Sequence, residues 1–291
     1  MSLVHELHYG LVTKRKEVEM EAQTLEKTYP VLGVNISSYS KDDFFTAIDE
    51  VLSKKSKKTK PLFIVTVNPE IAIHAIIDNN FKDILKNSSI NTADGVGISW
   101  AVNFLYGKKV DRITGSDSVE KICGIAAKTQ SSAFFYGALP TVAKRAALLL
   151  QQQIPGLLIS GTYSPERSDL NFEDLPLETQ SQLQKACVIF VALGAPAQEK
   201  WIYRNLPYLS NCKVIIGIGG SFDFITGEVK RAPAAMRKTG LEWAYRLYAQ
   251  PSRWRRMMKL PLFALNVVLL KSSSKGQRIT TQNKTPQHIH S

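Results

Sequence analysis

The chain has 291 residues, with 37 Lys or Arg against 25 Asp or Glu and a formal net charge of +12. Its 44% hydrophobic and 21% charged residues exclude a disordered chain and suit one large globular domain or two ordinary ones. Cys123, Cys187 and Cys212 are widely spaced and form no CxxC pair, so neither a disulfide framework nor a zinc cluster is expected, and a reducing cytosol is the default compartment.

The charge is concentrated at one end. Residues 1–229 hold 24 basic and 24 acidic side chains, whereas residues 230–291 hold 13 basic ones against Glu242 alone. A neutral body with a basic end predicts an anionic partner met there: nucleic acid, anionic lipid or a phosphorylated substrate.

In chain order, residues 1–29 are charged and lack the apolar core of a secretory signal, which marks them as a peripheral extension. Residues 30–229 then alternate apolar, β-rich runs with helical patterns. Strands are expected at Leu62–Val67, Ser89–Ala93, Ser132–Tyr136, Leu157–Thr162, Ala186–Leu193 and Lys213–Ile218. Several of these runs are apolar throughout, as strands covered on both faces are. Helices are expected at Asp42–Lys54, Pro69–Asn79, Gly97–Tyr106, Ser116–Lys128, Thr141–Gln153, Leu177–Lys185 and Pro196–Leu206. This order predicts an α/β fold, a Rossmann-like, mostly parallel sheet flanked by helices, followed by a basic helical C-terminal appendage over residues 230–271. Residues 272–291 are polar and poor in aromatics, a composition expected to stay disordered.

Parallel sheets bind ligands outside the carboxyl ends of their strands, so the residues just after each strand carry the chemistry. Thr66 and Asn68 precede Pro69 at a helix start, where unpaired backbone donors attract anions; a plain N-cap by Asn68 is the alternative. Asp94, followed by Gly95 and Gly97, suits a general base or a binder of sugar hydroxyls; a helix cap is its alternative. Arg112 lies before the Gly115 helix start and offers a planar fork to a diphosphate, or else an ion pair to Asp111 or Asp117. Tyr136-Gly137 forms another strand-to-helix turn, and Gln198 sits on a first helical turn where its amide can both donate and accept. Gly217-x-Gly219-Gly220 resembles a dinucleotide fingerprint, but Phe222 occupies the place of the third glycine, which demotes a nicotinamide enzyme.

No Asp-x-Asp pair, HExxH or GxSxG occurs. His5, His8 and His74 are isolated, with His74 expected to pack, and His288 and His290 lie in the polar tail. In the basic segment Trp243, Tyr245, Tyr248 and Trp254 interleave with Arg246, Arg253, Arg255 and Arg256, as in a segment that meets anionic headgroups. The apolar run Leu260–Leu270 is too short for the roughly 20 residues of a spanning helix. It can lie on a membrane surface or be covered by self-association, and the absence of nucleic-acid signatures ranks lipid above nucleic acid.

The ordered series Thr66-x-Asn68, Ala93-Asp94-Gly95, Arg112-x-x-Gly115, Tyr136-Gly137, Gly194-x-Pro196-x-Gln198-Glu199 and Gly219-Gly220-Ser221-Phe222-Asp223, continuing to Gly227-x-Val229-x-Arg231-Ala232-Pro233, resembles the TagA/WecG/CpsF group of bacterial glycosyltransferases over residues 31–262. The resemblance implies transfer of N-acetylmannosamine or its uronic acid from a UDP donor to a polyprenyl-diphosphate-linked sugar, with inversion and without metal or other cofactor. UDP-glucose or another UDP-hexose is the alternative donor. It further implies Asp94 as base, Arg112 on the leaving diphosphate, Thr66 and Asn68 as positioning groups, and Gln198 on sugar hydroxyls. Asp223 with Gly219-Gly220 would contact the nucleoside; Gly95, Tyr136, Gly137 and Phe222 fall on matched motif positions and join the substrate-binding set. Arg246, Arg253 and Arg256 would complete the site from a membrane-docked appendage, on the inner face of the cell membrane.

Overall fold

A computed structural model describes residues 28–54, 60–251 and 254–282. A short antiparallel hairpin comes first, β1 (Thr28–Val31) and β2 (Val34–Ser37), followed by α1 (Lys41–Ser53). The main sheet is built from β3 (Leu62–Val67), β4 (Ile90–Ala93), β5 (Ser132–Gly137), β6 (Leu158–Tyr163), β7 (Val188–Ala192) and β8 (Val214–Gly217). Its order is β4-β3-β8-β7-β5-β6, and every pairing is parallel. All six expected strands are present. The hairpin was not expected, and it begins within the stretch assigned to the N-terminal extension.

The connecting helices are α2 (Pro69–Ile77), α3 (Asn79–Lys86), α4 (Val96–Tyr106), α5 (Gly115–Lys128), α6 (Val142–Gln153), α7 (Leu177–Lys185), α8 (Ala197–Asn205) and α9 (Ser221–Ile225). Strands β3, β7 and β8 are almost entirely buried, which accounts for their unbroken apolar runs. One face of the sheet packs Ile71 and Ala75 of α2, Ala101 and Val102 of α4, and Trp201 and Ile202 of α8. The other packs Phe44 and Ile48 of α1, Val119 and Ile122 of α5, Ala143 and Ala147 of α6, and Phe222 of α9. The helix leaving β3 therefore lies on one face and the helix leaving its neighbour β8 on the other. The loops part above these two strands and leave a crevice at their carboxyl ends.

The appendage consists of α10 (Ala234–Thr239), α11 (Glu242–Ala249), α12 (Trp254–Met257) and the long α13 (Lys259–Gln282). Phe263 and Val267, one turn apart on α13, are buried in the same core cluster as α2 and α4, while Leu262, Leu265 and Leu269 of that helix face outward. The helix runs on to Gln282, past the apolar run and into the polar segment. Among the described residues no helix is long and apolar enough to cross a membrane. His5, His8, Arg253, His288 and His290 lie outside the described residues.

Candidate active site

The crevice above β3 and β8 opens into a cleft of about 410 Å³, within the usual range for small-molecule sites. Thr66, Asn68, Asp94, Gly95, Arg112, Gln198, Gly219 and Gly220 line it from the sheet side, and Arg246 and Arg256 line it from the appendage. Ten expected site residues are thus brought together from segments scattered along the chain.

Their local geometry separates binding groups from supports. Thr66 donates its hydroxyl to the carbonyl of Gly217 at 2.9 Å, tying β3 to β8 beneath the cleft. Asn68 Oδ1 accepts from the Ile71 amide at 3.0 Å and caps α2, so the cap reading holds, while the residue also borders the cleft. Gln198 is buried; its Oε1 accepts from the Gly219 amide at 3.0 Å and its Nε2 donates to Glu199 Oε1 at 2.7 Å. The amide is thereby braced between two strand-end loops.

Asp94 is held differently. Its backbone N–H donates to the Val67 carbonyl at 2.7 Å, fixing the end of β4 against β3. Helix α4 starts from Gly95, at φ +88° and with no side-chain cap, so Asp94 does not serve as the cap. Burial pushes its carboxyl up to about 7; Arg246 and Arg231 oppose the rise, whereas Glu242 and Asp117 add to it. A carboxyl that is half ionised near neutrality and faces a cleft is suited to accept a proton there.

Arg112 is positioned by the same strand end: the Ile113 amide donates to the Ala93 carbonyl at 3.0 Å, and Thr92 Oγ1 donates to the Ile113 carbonyl at 2.9 Å. The carboxylates considered as its partners are engaged elsewhere as well. Asp117 pairs with Arg231 at 2.7 Å, and Asp111 Oδ2 accepts from the Lys41 amide at 2.9 Å. Thr114 Oγ1 accepts from the Asp117 amide at 3.1 Å and caps α5, whose first turn also borders the cleft.

The appendage forms the roof. Arg246 lies 4.5 Å over the ring of Phe224 and 3.9 Å from Glu242, and burial pulls its guanidinium below the ordinary arginine value, with Glu242 and Asp94 opposing. Arg256 donates from Nε and Nη2 to Glu70 Oε2 at 2.8 and 2.6 Å, and Lys259 Nζ donates to Glu70 Oε1 at 3.0 Å. Lys259 also lies 2.8 Å from Nε2 of His74, so His74 belongs to this ionic cluster rather than to the apolar packing alone.

Four expected residues do not line the cleft. Tyr136 is fully buried and stacks on Trp201 with centroids 4.1 Å apart. A Cβ on Gly137 would come within 2.6 Å of the Ala192 backbone, so that glycine permits close strand packing at φ +104°. Phe222 is fully buried against Phe135 with centroids 5.4 Å apart, and Asp223 follows it on α9. Cleft residues to which the sequence reading gave no role include Glu70, Lys41 and Lys259. Glu70 directly follows Asn68-Pro69 at the helix start, but its partners are 186 and 189 positions away.

Similarity to known proteins fits this geometry. The chain is 38% identical over 214 residues, 73% of its length and 81% of the relative's, to the N-acetylglucosaminyldiphosphoundecaprenol N-acetyl-beta-D-mannosaminyltransferase of Bacillus subtilis. It is 34% identical over 230 residues to the protein of the same name from Bacillus spizizenii, covering 78% of this chain and 86% of that one. For the Staphylococcus aureus protein of that name the identity is 30% over 245 residues, 84% of this chain and 94% of the relative. Residues 29–277 match the model of the glycosyl transferase WecG/TagA/CpsF family, and the chain belongs to this family of glycosyltransferase enzymes.

Proposed function

We propose that the enzyme transfers N-acetylmannosamine from a UDP donor to N-acetylglucosamine carried on a polyprenyl diphosphate, in the synthesis of a cell-surface polysaccharide. The names of its relatives support the sugar and the acceptor. The observation that carries the chemistry is Asp94, a carboxyl raised to about 7 at the bottom of a cleft roofed by arginines.

In the proposed step an acceptor hydroxyl oxygen attacks C1 of the donor sugar from the face opposite the diphosphate. The bond from C1 to the diphosphate oxygen breaks, UDP leaves with that electron pair, and the hydroxyl proton passes to Asp94. The configuration at C1 inverts. Arg112, Arg246 and the first turn of α5 supply positive charge and N–H donors where negative charge grows on the leaving diphosphate, so no metal ion is required in this reading. Thr66, Asn68 and the Gly219-Gly220 turn fix the walls against which donor and acceptor lie. Tyr136, Gly137 and Phe222 act from behind, by holding β5 and α9 in place.

The exposed aromatic and apolar side chains Tyr248, Trp254, Leu265 and Leu269 belong to the segment that carries the chain's excess of basic residues, and they support docking on the anionic inner face of the cell membrane. A nucleic-acid module accounts less well for the appendage, because Arg246, Arg256 and Lys259 turn inward onto carboxylates and the cleft. The test is a screen of UDP-sugars against a polyprenyl-diphosphate-linked N-acetylglucosamine, with mass detection of product and EDTA as the metal control. The expected product carries one N-acetylhexosamine derived from UDP-N-acetylmannosamine, in the presence of EDTA as in its absence. A product formed only from UDP-glucose or the uronic acid would replace the donor, and dependence on divalent metal would remove the arginine account of the leaving group.

A further inference from the structure

Glu70 occupies the first turn of α2, directly after the Asn68-Pro69 pair that borders the cleft. Both its oxygens are engaged by the appendage: Oε2 by two nitrogens of Arg256 and Oε1 by Lys259. Its carboxylate is largely screened from solvent; burial alone would raise its pKa, but Arg256 and Lys259 hold it below the ordinary glutamate value. Three charges thus meet at one half-buried point, and the fourth member, His74, lies one helical turn along α2.

The position of this cluster matters more than its charge. Farther along α13 the contacts with the body are the inserted side chains Phe263 and Val267, and Lys271, whose Nζ donates to the Phe104 carbonyl and lies 4.1 Å over the Phe104 ring; they anchor the middle of the helix to α2 and α4, whereas the Glu70 cluster fixes its start. Two guanidinium N–H groups of Arg256 converge on one carboxylate oxygen while Lys259 takes the other, and such charge-assisted bonds from two residues are directional and fix register. Glu70 sits on the segment that carries Asn68, and Arg256 sits on the segment that joins α11 to α13. Locking the two sets the height of the roof, and with it the placement of Arg246 relative to Asp94.

We infer that Glu70 is a positioning residue: it latches the C-terminal appendage onto the strand-end turn of β3 and so places Arg246 over Asp94. The inference rests on the proposed transferase reading for its kinetic part only. Both oxygens of Glu70 are taken up by the appendage, so it acts through Arg256 and Lys259. The latch also orders the site in time, because an appendage released from Glu70 leaves the donor side of the cleft intact while removing its roof.

The test uses the full chain with Glu70→Gln, Glu70→Asp and the charge exchange Glu70→Arg with Arg256→Glu. Amide hydrogen exchange is followed in α13 from Lys259 to Lys271 and, as internal control, in β3, β7 and β8. In Glu70→Gln, exchange in that part of α13 is expected to speed up roughly tenfold, the effect of about 1.4 kcal/mol on local opening, with the strands unchanged. Glu70→Asp and the charge exchange recover at least half of that protection on a logarithmic scale. Turnover of Glu70→Gln falls roughly tenfold while the KM for the UDP-sugar stays within about twofold, since the donor walls belong to the body. Unchanged exchange in α13, or equal loss across the strands, would overturn the latch whether or not the enzyme moves the proposed sugar. Normal latch behaviour with no transfer in any variant or in the parent would instead overturn the transferase reading alone. A rise in donor KM equal to the fall in turnover would overturn the positioning role.

Discussion

The body and the appendage solve opposite problems with the same side chains. In the body, strands of Val, Ile and Phe pack to completion on both faces, and although most ionisable groups lie at the surface, Asp94 at the cleft and the buried Glu199 are held within it. In the appendage Phe263 and Val267 are the buried hydrophobics of α13 among its described side chains, and charge adds to the joining: Arg256 and Lys259 onto Glu70, and Lys271 onto the Phe104 carbonyl. The contrast teaches that in the proposed mechanism the base and Arg112 belong to the close-packed body, whereas Arg246 is brought by a part held largely through ionic contacts.

The sharpest test of that division is Asp94→Asn, for which turnover is expected to fall by roughly 10²–10⁴-fold in a steady-state transfer assay. The same change should stabilise the fold at pH 8. Burial raises Asp94 above its ordinary value of 3.8 to about 7, so the folded chain holds the extra proton, and the associated stability is present below about pH 4 and lost as pH rises towards 7. Asn removes that loss, by up to about 4 kcal/mol at pH 8 and almost nothing at pH 4, readable as a pH-dependent difference in Tm. A variant that is inactive and less stable at pH 8 would mean that Asp94 supports the structure instead.

On the appendage side, Leu265→Glu together with Leu269→Glu should lower binding to vesicles containing anionic lipid by roughly tenfold or more, with the circular dichroism spectrum unchanged; undiminished sedimentation with vesicles would separate these residues from the membrane. Arg246→Gln crosses the boundary between the two regions. Removing a cation that opposes the rise at Asp94 should move the acid limb of kcat/KM from near pH 7 to higher pH and lower the plateau by roughly tenfold. An unshifted limb would uncouple the roof from the base. The smallest effect is expected at Glu199, also raised to about 7 by burial but pointing away from the reaction: Glu199→Gln should change kcat/KM by less than about twofold and leave the acid limb where it is. A moved limb would give Glu199 part of the titration ascribed to Asp94.

The sheet was legible because doubly covered strands such as Val188–Ala192 are apolar at every position. The β1–β2 hairpin was not, since Thr28–Val31 contains a proline and both strands are four residues long. Helix α3 was hidden by its neighbour: α2 ends at Ile77, and Asp78 caps the new helix by accepting from the Phe81 amide at 3.0 Å. In the site, Asp94 and Arg112 were legible because they stand past strand ends, where position alone sends them to the cleft. Tyr136 was misleading for the reason that made β5 easy to find, as a strand apolar on both faces does not reveal which face its last aromatic serves. Glu70 gave no signal, because an acidic residue in a first helical turn is ordinary and nothing local points to partners so far along the chain.

Gly240, at φ +80°, lies so close to α4 that an added Cβ would fall 2.3 Å from Val96, while a Cβ on Gly97 would fall 2.5 Å from Pro69. The bare backbone at Gly240 therefore lets the roof settle on the first turn after Asp94, and Gly97 lets that turn close against Pro69. All residues of that roof follow the whole sheet in the chain, so on the ribosome the body can be folded before they emerge. A cleft floor with its carboxyl in place is then made before the arginines that roof it, so the appendage closes on a donor side that is already built.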